Sequence, residues 1–150
     1  MRNKFCIAAG VVVLGLAVPV TAEQAAPAGR VKIVSGDAFI VHAGETIPAT
    51  VGLDVFESDR VRTGNDGRIG LTLQDDTRVA IGPRSEVAVD SFSYAPAEGS
   101  LGLALKFVQG VAVYVSGKIA KLAPDAVRLE TPAAIVGVRG TTVALNVGAD

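Results

Sequence analysis

The sequence is poor in the side chains that build metal and catalytic sites. Its 150 residues include one cysteine, one histidine, one methionine and no tryptophan. A lone Cys6 near the N-terminus excludes a disulfide framework within the chain and a site built from several thiolates. A single His42 cannot supply the cluster of imidazoles that zinc prefers. We therefore predict no metal and no cofactor.

An excess of charge of one sign is also lacking. There are 14 lysines and arginines against 15 aspartates and glutamates, and the isoelectric point is about 5.8. Nucleic-acid-binding domains normally carry a clustered basic surface, so no nucleic-acid partner is predicted. The hydrophobic share of 49% and the charged share of 19% are typical of a globular chain. The length suits a single domain.

The N-terminal segment has the pattern of a secretory signal peptide. Residues 1–4 carry two positive charges, residues 5–18 are apolar, and small residues surround position 22. The apolar run is shorter than the roughly 20 residues of a spanning helix, so no stable membrane anchor is predicted. We expect residues 1–22 to be cleaved during export to the periplasm or beyond. Residues 23–30 are predicted to form a flexible leader, and residues 31–147 the folded domain.

From residue 31 onward, apolar residues recur with the period of two that indicates β-strands with one buried face. Turn-forming residues separate nearly every pair of runs. The pattern predicts an all-β single domain of about nine short, mainly antiparallel strands, either sandwich-like or jelly-roll-like or a short β-solenoid. Only Lys118 to Leu122 resembles a helical turn, which Pro124 ends. The positions assigned to the buried faces are Val31, Ile33, Phe39, Val41, Ile69, Leu71, Leu73, Val79, Ile81, Val87, Val89, Leu101, Leu103, Leu105, Phe107, Val111, Val113, Val115, Val127, Leu129, Val143, Leu145 and Val147.

Two hairpins can be given a register from their turn residues. A three-residue loop at residues 65–67, with Gly67 left-handed, pairs Val61 with Leu71. A second loop at residues 75–77 pairs Leu73 with Val79 and Leu71 with Ile81. Under both registers the apolar side chains share one face, as a half-buried sheet requires.

This register places four arginines on the outer face of the predicted three-stranded sheet. An arginine ladder suits an anionic ligand, such as a phosphorylated sugar, or an acidic partner surface. Alternatively, the acidic residues nearby in the sequence neutralise the arginines and the face is merely solvated. The candidate binding residues are Arg60, Arg62, Arg68 and Arg78.

The carboxylates invite two chemical hypotheses. Asp75 and Asp76 form a candidate acid and base pair, and a candidate calcium site arises if Glu57 and Asp59 join them around the ion. Paired carboxylates at a hairpin tip are more often turn formers, because neighbouring residues on a strand point to opposite faces. No motif around His42 supports a serine hydrolase triad. We therefore predict that the chain is not an enzyme.

Three stretches, at residues 61–73, 75–87 and 131–143, together resemble the FecR domain family. They contain Arg62-Thr63-Gly64 before Asp66-Gly67, Asp75-Asp76-Thr77 before a downstream Ser85, and a closing Thr-Pro and Arg-Gly-Thr. Their order and spacing cover nearly the whole chain after the signal peptide. The motif positions are Asp59, Thr63, Gly64, Asp66, Gly67, Asp75, Ser85, Thr131, Pro132, Arg139, Gly140 and Thr141.

The resemblance implies structural roles for several of these residues. Gly67 and Gly140 suit bulges or left-handed positions, where a Cβ would clash. Asp76 occupies a place where the family usually has glycine, and aspartate tolerates the left-handed conformation at a cost. We also expect Arg139 to be partly buried and paired with Asp59.

The resemblance further implies a non-catalytic, extracytoplasmic module. In the best-known members an anti-sigma segment and a transmembrane helix precede the domain, which senses an outer-membrane receptor and regulates iron-uptake genes. Only the predicted signal peptide precedes the domain here, so we expect no direct sigma-factor control. The predicted role is binding of an envelope protein or glycan, in envelope signalling. The alternatives are an envelope glycan-processing enzyme and a structural or adhesive protein that self-assembles through exposed edge strands.

Overall fold

The computed structural model describes residues 25–138 and 142–148, together with the isolated positions 17 and 19. The predicted signal peptide therefore lies almost wholly outside the described residues. Within the described ranges, no helix is long and apolar enough to span a membrane.

The described part of the chain is mostly β-strand, with one short α-helix, which confirms the all-β prediction. The one α-helix, α1, covers the predicted Lys118–Leu122, and a 3-10 turn at Pro124–Ala126 follows it. The described strands number twelve rather than nine. They are β1 Gly29–Ser35, β2 Ala38–His42, β3 Glu45–Pro48, β4 Asp54–Val55, β5 Arg60–Thr63, β6 Arg68–Leu73, β7 Arg78–Ile81, β8 Glu86–Ala95, β9 Ser100–Val115, β10 Val127–Glu130, β11 Ile135–Gly137 and β12 Thr142–Val147.

The folded part begins earlier than the predicted boundary at residue 31. Ala28 is buried, its N–H donates to the Val55 carbonyl at 2.7 Å, and its own carbonyl accepts from Gln74 N–H at 2.9 Å. Strand β1 then starts at Gly29. The predicted leader at residues 23–30 is therefore too long at its C-terminal end.

The long strand β9 joins two sheets into one curled array. Nine strands follow the order β3-β2-β5-β8-β9-β7-β6-β1-β4. The first half of β9 pairs with β8 and β10, and the second half pairs with β7 and β12. We call the part from β3 to the first half of β9, with β10 and β11, sheet 1. The part from the second half of β9 to β4, with β12, is sheet 2.

The strand directions fit a sandwich and not a β-solenoid. Among the described strands, only β9 and β10 pair in parallel, whereas a β-helical solenoid consists of stacked parallel strands. Inner faces from both sheets contribute to a single apolar core. Its largest fully buried side chains are those of Tyr114 and Phe107. Phe39, Phe56 and Phe92 are only partly buried.

The predicted buried face is wrong on two of the first strands. On β2 the inward residues are Ala38 and Ile40. The predicted inward residues Phe39 and Val41 therefore lie on the other face of the strand. On β1 the register shifts between Val31 and Ile33, which turns Ile33 outward with 64% of its surface exposed. A bulge shifts the alternation by one residue, and a sequence pattern of period two does not show where this occurs.

The alternation also reverses inside β9. Phe107 lies opposite Val87, and Gln109 lies opposite Glu86, so one extra residue is accommodated on β9. Gly110 follows with a φ of +91°. Beyond it Ala112 and Tyr114 point into the core and Val111 points out. The prediction that Val111, Val113 and Val115 share the buried face is therefore wrong.

The predicted pairing of β5 with β6 does not occur. β5 pairs with β2 and β8 in sheet 1, and β6 pairs with β1 and β7 in sheet 2. A tight turn, in which Gly67 N–H donates to the Gly64 carbonyl at 3.2 Å, carries the chain from one sheet to the other. Gly67 is not left-handed, contrary to expectation. A side chain there would instead overlap the Asp37 carbonyl.

The predicted hairpin of β6 and β7 is present with a shifted register. Leu71 lies opposite Val79, and Leu73 N–H donates to the Thr77 carbonyl at 2.8 Å. The loop therefore consists of residues 74–76. Asp76 has a φ of +66°, the left-handed conformation expected at this position. The buried face is unchanged because the opposing residue shifts by two positions.

The Asp75 carboxylate joins this hairpin loop to α1. It is fully buried and accepts hydrogen bonds from the Thr77 N–H at 3.1 Å, the Thr77 hydroxyl at 2.7 Å and the Ile119 N–H at 3.2 Å. Its backbone carbonyl accepts from Lys118 N–H at 2.7 Å. The neighbouring Asp76 is exposed and forms an ion pair with Lys118 at 3.0 Å.

Replacing Asp75 with asparagine should strongly destabilise the fold. The amide of Asp75→Asn directs a donor at groups that themselves donate, and leaving buried groups unsatisfied costs about 2–3 kcal/mol. Urea unfolding measures this loss. The matched control is Asp76→Asn, which keeps a residue tolerant of the left-handed conformation and should change the unfolding free energy by about 0.5 kcal/mol or less. Equal stability of both variants would contradict the role of Asp75.

The Tyr114 phenol lies fully buried beneath the same loop. Burial raises its pKa from the ordinary value of 10.0, and the negative charge of Asp75 raises it further. The nearby polar side chains of Ser116 and Thr77 lower the pKa in part but do not cancel the rise. The neutral phenol is therefore favoured in the folded protein.

This raised pKa predicts a loss of stability in alkali. Because the folded pKa lies above the unfolded one, the stabilisation is complete below about pH 10 and is lost as pH rises through the window above it. We expect the Tm of the wild type to fall more than that of Tyr114→Phe between about pH 9 and about pH 11. Tyr94→Phe should retain the wild-type fall. Identical pH profiles for wild type and Tyr114→Phe would refute the prediction.

Candidate functional site

A continuous row of apolar residues crosses the outer face of sheet 2. Cross-strand partners place Ile33 beside Gly70, Gly70 beside Ala80, Ala80 beside Val113, and Val113 beside Ala144. Five strands, β1, β6, β7, β9 and β12, thus contribute one residue each. We call these five residues the apolar row.

The apolar row forms the floor and walls of an open groove of about 600 Å³. Gly70, Ala80 and Ala144 leave the floor low, whereas Ile33 and Val113 stand above it, exposed by 64% and 38%. Single exposed apolar residues are ordinary on protein surfaces, whereas binding surfaces are commonly contiguous apolar patches, which makes this groove the candidate site.

Arginines lie on both sides of the apolar row. Arg68 belongs to the adjacent row on one side, with Val111 and Asn146, and it lines the groove. Arg78 belongs to the adjacent row on the other side, between Thr72 and Val115. Strand spacing separates the two arginine Cα atoms by about 14 Å. The groove is therefore apolar along its length, with Arg68 in its lining and Arg78 in the row beyond its other side.

The four predicted arginines do not form one ladder. Arg60 and Arg62 lie on β5 in sheet 1, whereas Arg68 and Arg78 lie in sheet 2, because β5 and β6 do not pair. Arg60 forms an ion pair with Glu86 at 3.5 Å. Across residues 25–138 and 142–148, neither Arg68 nor Arg78 forms an ion pair. Their charges remain available to an anionic partner.

A second, smaller cleft of about 450 Å³ surrounds His42. The half-exposed His42 shares a hydrogen bond of 2.5 Å between its Nδ1 and the buried carboxylate of Asp59, whose other oxygen accepts from Phe56 N–H at 2.8 Å. Ala43 and Ser58, on the two loops, have left-handed backbones with φ of 49° and 73°. These contacts hold the loop between β2 and β3 against the segment that connects β4 to β5.

The candidate carboxylate sites are not assembled. Glu57 accepts from Phe92 N–H at 3.0 Å, while Asp59 is directed at His42 and Phe56, so the two do not share a hydrogen-bonding partner. Asp75 is buried and Asp76 exposed, so this pair does not converge on one site either. Among the described residues, no three or more histidine, cysteine or acidic side chains are grouped to hold a metal ion.

The motif positions Thr63 and Ser85 connect turns at one end of the molecule. The Thr63 hydroxyl donates to the Gly82 carbonyl at 2.7 Å and accepts from Ser85 N–H at 2.9 Å. The Ser85 hydroxyl donates to the Pro83 carbonyl at 2.9 Å and accepts from Val111 N–H at 3.0 Å. These bonds hold the loop after β7 against β9.

The remaining motif positions lie in turns. Gly64 N–H donates to the Asp37 carbonyl at 2.8 Å, and the Asp66 carboxylate accepts from Asp37 N–H at 3.4 Å. Thr131 closes the turn before β11 by accepting from Ala134 N–H at 3.1 Å, and Pro132 is exposed within that turn. Arg139, Gly140 and Thr141 lie outside the described residues. The expected pairing of Arg139 with Asp59 therefore stays a prediction.

A family model described as FecR protein matches residues 59–150, which is more than half of the chain. The chain belongs to the FecR family. The matched range starts at Asp59 and includes the groove strands β6, β7, β9 and β12. FecR proteins are a regulatory and signalling family associated with the periplasm. No curated protein and no solved structure matches the chain.

Sequence reasoning missed the apolar row of this FecR protein. Its residues lie on five strands, and the order of those strands is not visible in a single sequence. One local signal was present at Val111–Val115, where five consecutive apolar residues depart from the alternation of apolar and polar residues. A strand that is apolar on both faces either lies between two layers or exposes an apolar surface.

The groove should bind an amphiphilic anion such as anilinonaphthalene sulfonate, whose fluorescence rises in apolar surroundings. We expect saturable binding by the folded wild-type protein because the apolar row would take the rings and Arg68 or Arg78 the sulfonate. Ala80→Asp should weaken dye binding several-fold. Thr46→Asp, on exposed β3 of sheet 1, is the matched control and should bind as the wild type does. Equal binding by both variants would contradict the assignment.

Proposed function

We propose that this FecR protein is a non-catalytic interaction module of the cell envelope that binds a protein partner on the outer face of sheet 2. The observation that carries the proposal is the apolar row with Arg68 and Arg78 on its two sides. The partner we infer is a protein segment that presents apolar side chains with acidic residues near them.

The chemistry of the groove supports a protein partner over a glycan. Sugar rings commonly stack on exposed aromatic faces, but the chain has no tryptophan, Tyr114 is buried, and Tyr94 lies on β8 in sheet 1. Small apolar residues along the groove suit aliphatic or aromatic side chains. An arginine binds a carboxylate through two parallel hydrogen bonds, which adds specificity to the apolar contact.

Contacts of the acidic side chains support a non-catalytic role. The carboxylates of Asp59, Asp75 and Glu57 each accept a hydrogen bond from a backbone N–H of the protein. These hydrogen bonds give the three carboxylates a structural role. Paired acid and base groups instead need two carboxyls that face one substrate. The regulatory character of the FecR family agrees with a binding role, and we place that role in envelope signalling after export by the signal peptide.

The proposal is tested by capturing partners from solubilised envelope with wild-type and variant protein. We expect one defined protein to be recovered with the wild type and with Arg60→Ala/Arg62→Ala. Affinity for the partner should fall at least about tenfold with Arg68→Ala/Arg78→Ala, because the loss of even one charge-assisted hydrogen bond costs about 1.5–3 kcal/mol. Ala80→Asp should reduce recovery as well.

The control variant Arg60→Ala/Arg62→Ala removes two positive charges from sheet 1. It therefore distinguishes the loss of a groove contact from a general effect of charge. A photo-crosslinker at Ala80 should attach to the captured protein directly, whereas one at Thr46 should not. A partner lost equally with both double variants, or no crosslink at Ala80, would refute binding at this groove.

A further inference from the structure

Strand β12 leaves one edge of sheet 2 open. Within residues 25–138 and 142–148, β12 pairs only with β9, through six consecutive residues from Thr142 to Val147. Its second edge therefore has no strand partner in the described structure. An open edge offers a row of backbone N–H and carbonyl groups to any strand that can align with it.

The other described edges are protected against such pairing, whereas β12 is not. The edge strand β3 carries Glu45 and ends in Pro48, which has no N–H to donate. β4 has two residues and β11 has three, both too short to support a new strand. β12 has six residues with no charge, no proline and no glycine, so none of the usual protective features is present.

The inner side chains of β12 are only partly covered. Val143, Leu145 and Val147 pack against the core but stay half-buried, whereas Ala112 and Tyr114 on the paired strand β9 are buried. Their remaining exposure lies at the margin of the core. A strand added beside β12 would cover these apolar surfaces as well as satisfy the open backbone groups.

We propose that β12 pairs with β12 of a second copy of this chain and continues sheet 2 across a two-fold axis. The strand carries no charge that would repel its own copy, so two β12 strands can approach edge to edge. The two-fold axis makes the contact closed, so that the product is a dimer and not a fibre. This inference goes beyond the proposed function and does not depend on it.

The alternation of side chains determines the register. In an antiparallel pair, opposite residues point to the same face, so an inward residue must oppose an inward residue. An axis at Leu145 satisfies this rule and pairs the whole described segment, from Thr142 to Gly148. Leu145 then faces its own copy, Val143 faces Val147, and Ala144 faces Asn146. The apolar rows of the two copies would lie on the same side of one continuous sheet.

Sedimentation of the full-length gene product, purified as its producing cell processes it, tests the assembly. We expect a concentration-dependent equilibrium between one chain and two, with no larger species. Thr142→Lys, an exposed position on β12 outside the groove, should leave the chain monomeric because a lysine on an edge strand opposes strand pairing. Thr46→Lys on β3 is the matched control and should dimerise as the wild type does. Circular dichroism confirms that both variants are folded.

A disulfide experiment tests the register in a Cys6→Ser background. Leu145→Cys should form a disulfide-linked dimer on mild oxidation, because identical residues on the two-fold axis have Cβ atoms about 5 Å apart. Ala144→Cys should not, because it faces Asn146. If Ala144→Cys forms the disulfide-linked dimer and Leu145→Cys does not, the proposed register is overturned. A wild type that stays monomeric at all concentrations would overturn the dimer.

The two proposals fail separately in these experiments. Arg68→Ala/Arg78→Ala should still dimerise, since neither arginine lies on β12. Loss of dimerisation in this variant would show that self-association uses the groove and would overturn the role of β12. If a variant still dimerises but captures no partner protein, only the groove proposal is affected.

Discussion

The reversal of side-chain direction within β9 is the constraint on which the rest of the structure depends. Strand β9 belongs to both sheets, and both of its halves must point side chains into the same core. Phe107 in the first half and Tyr114 in the second both do so only because one extra residue between them shifts the alternation of inward and outward side chains. Gly110 provides the left-handed backbone at this point. Ser85 packs where a side chain on residue 110 would lie, and its hydroxyl accepts the Val111 N–H. Neither contact tolerates a larger residue.

The same reversal creates the surface that we propose as the binding site. With Ala112 and Tyr114 turned inward, Val111 and Val113 must face solvent, because successive strand residues point to opposite faces. A bulge in β1 turns Ile33 to the same side. Two local irregularities of the backbone, made to close one core, therefore place large apolar side chains beside small residues on the outer face of sheet 2.

Family identity and the proposed binding chemistry are carried by different residues. The described motif positions mostly stabilise corners: Thr63 and Ser85 join two loops, and Asp75 joins a hairpin to α1. Their hydrogen bonds are satisfied within the protein, so substitutions there act on stability. The apolar row contains none of these positions.

The sequence by itself determined the strand content, the position of α1, the left-handed turn at Asp76 and the family, because these depend on local periodicity, turn chemistry and motif spacing. It also identified Arg68 and Arg78 as exposed cations. Only the tertiary structure decided which strands are neighbours. Val61 and Leu71 look like hairpin partners along the chain, yet they belong to different sheets because the turn at residues 64–67 packs against Asp37 from a distant loop. Strand order and bulges arise from such non-local contacts, and the groove exists only once five separate strands are aligned.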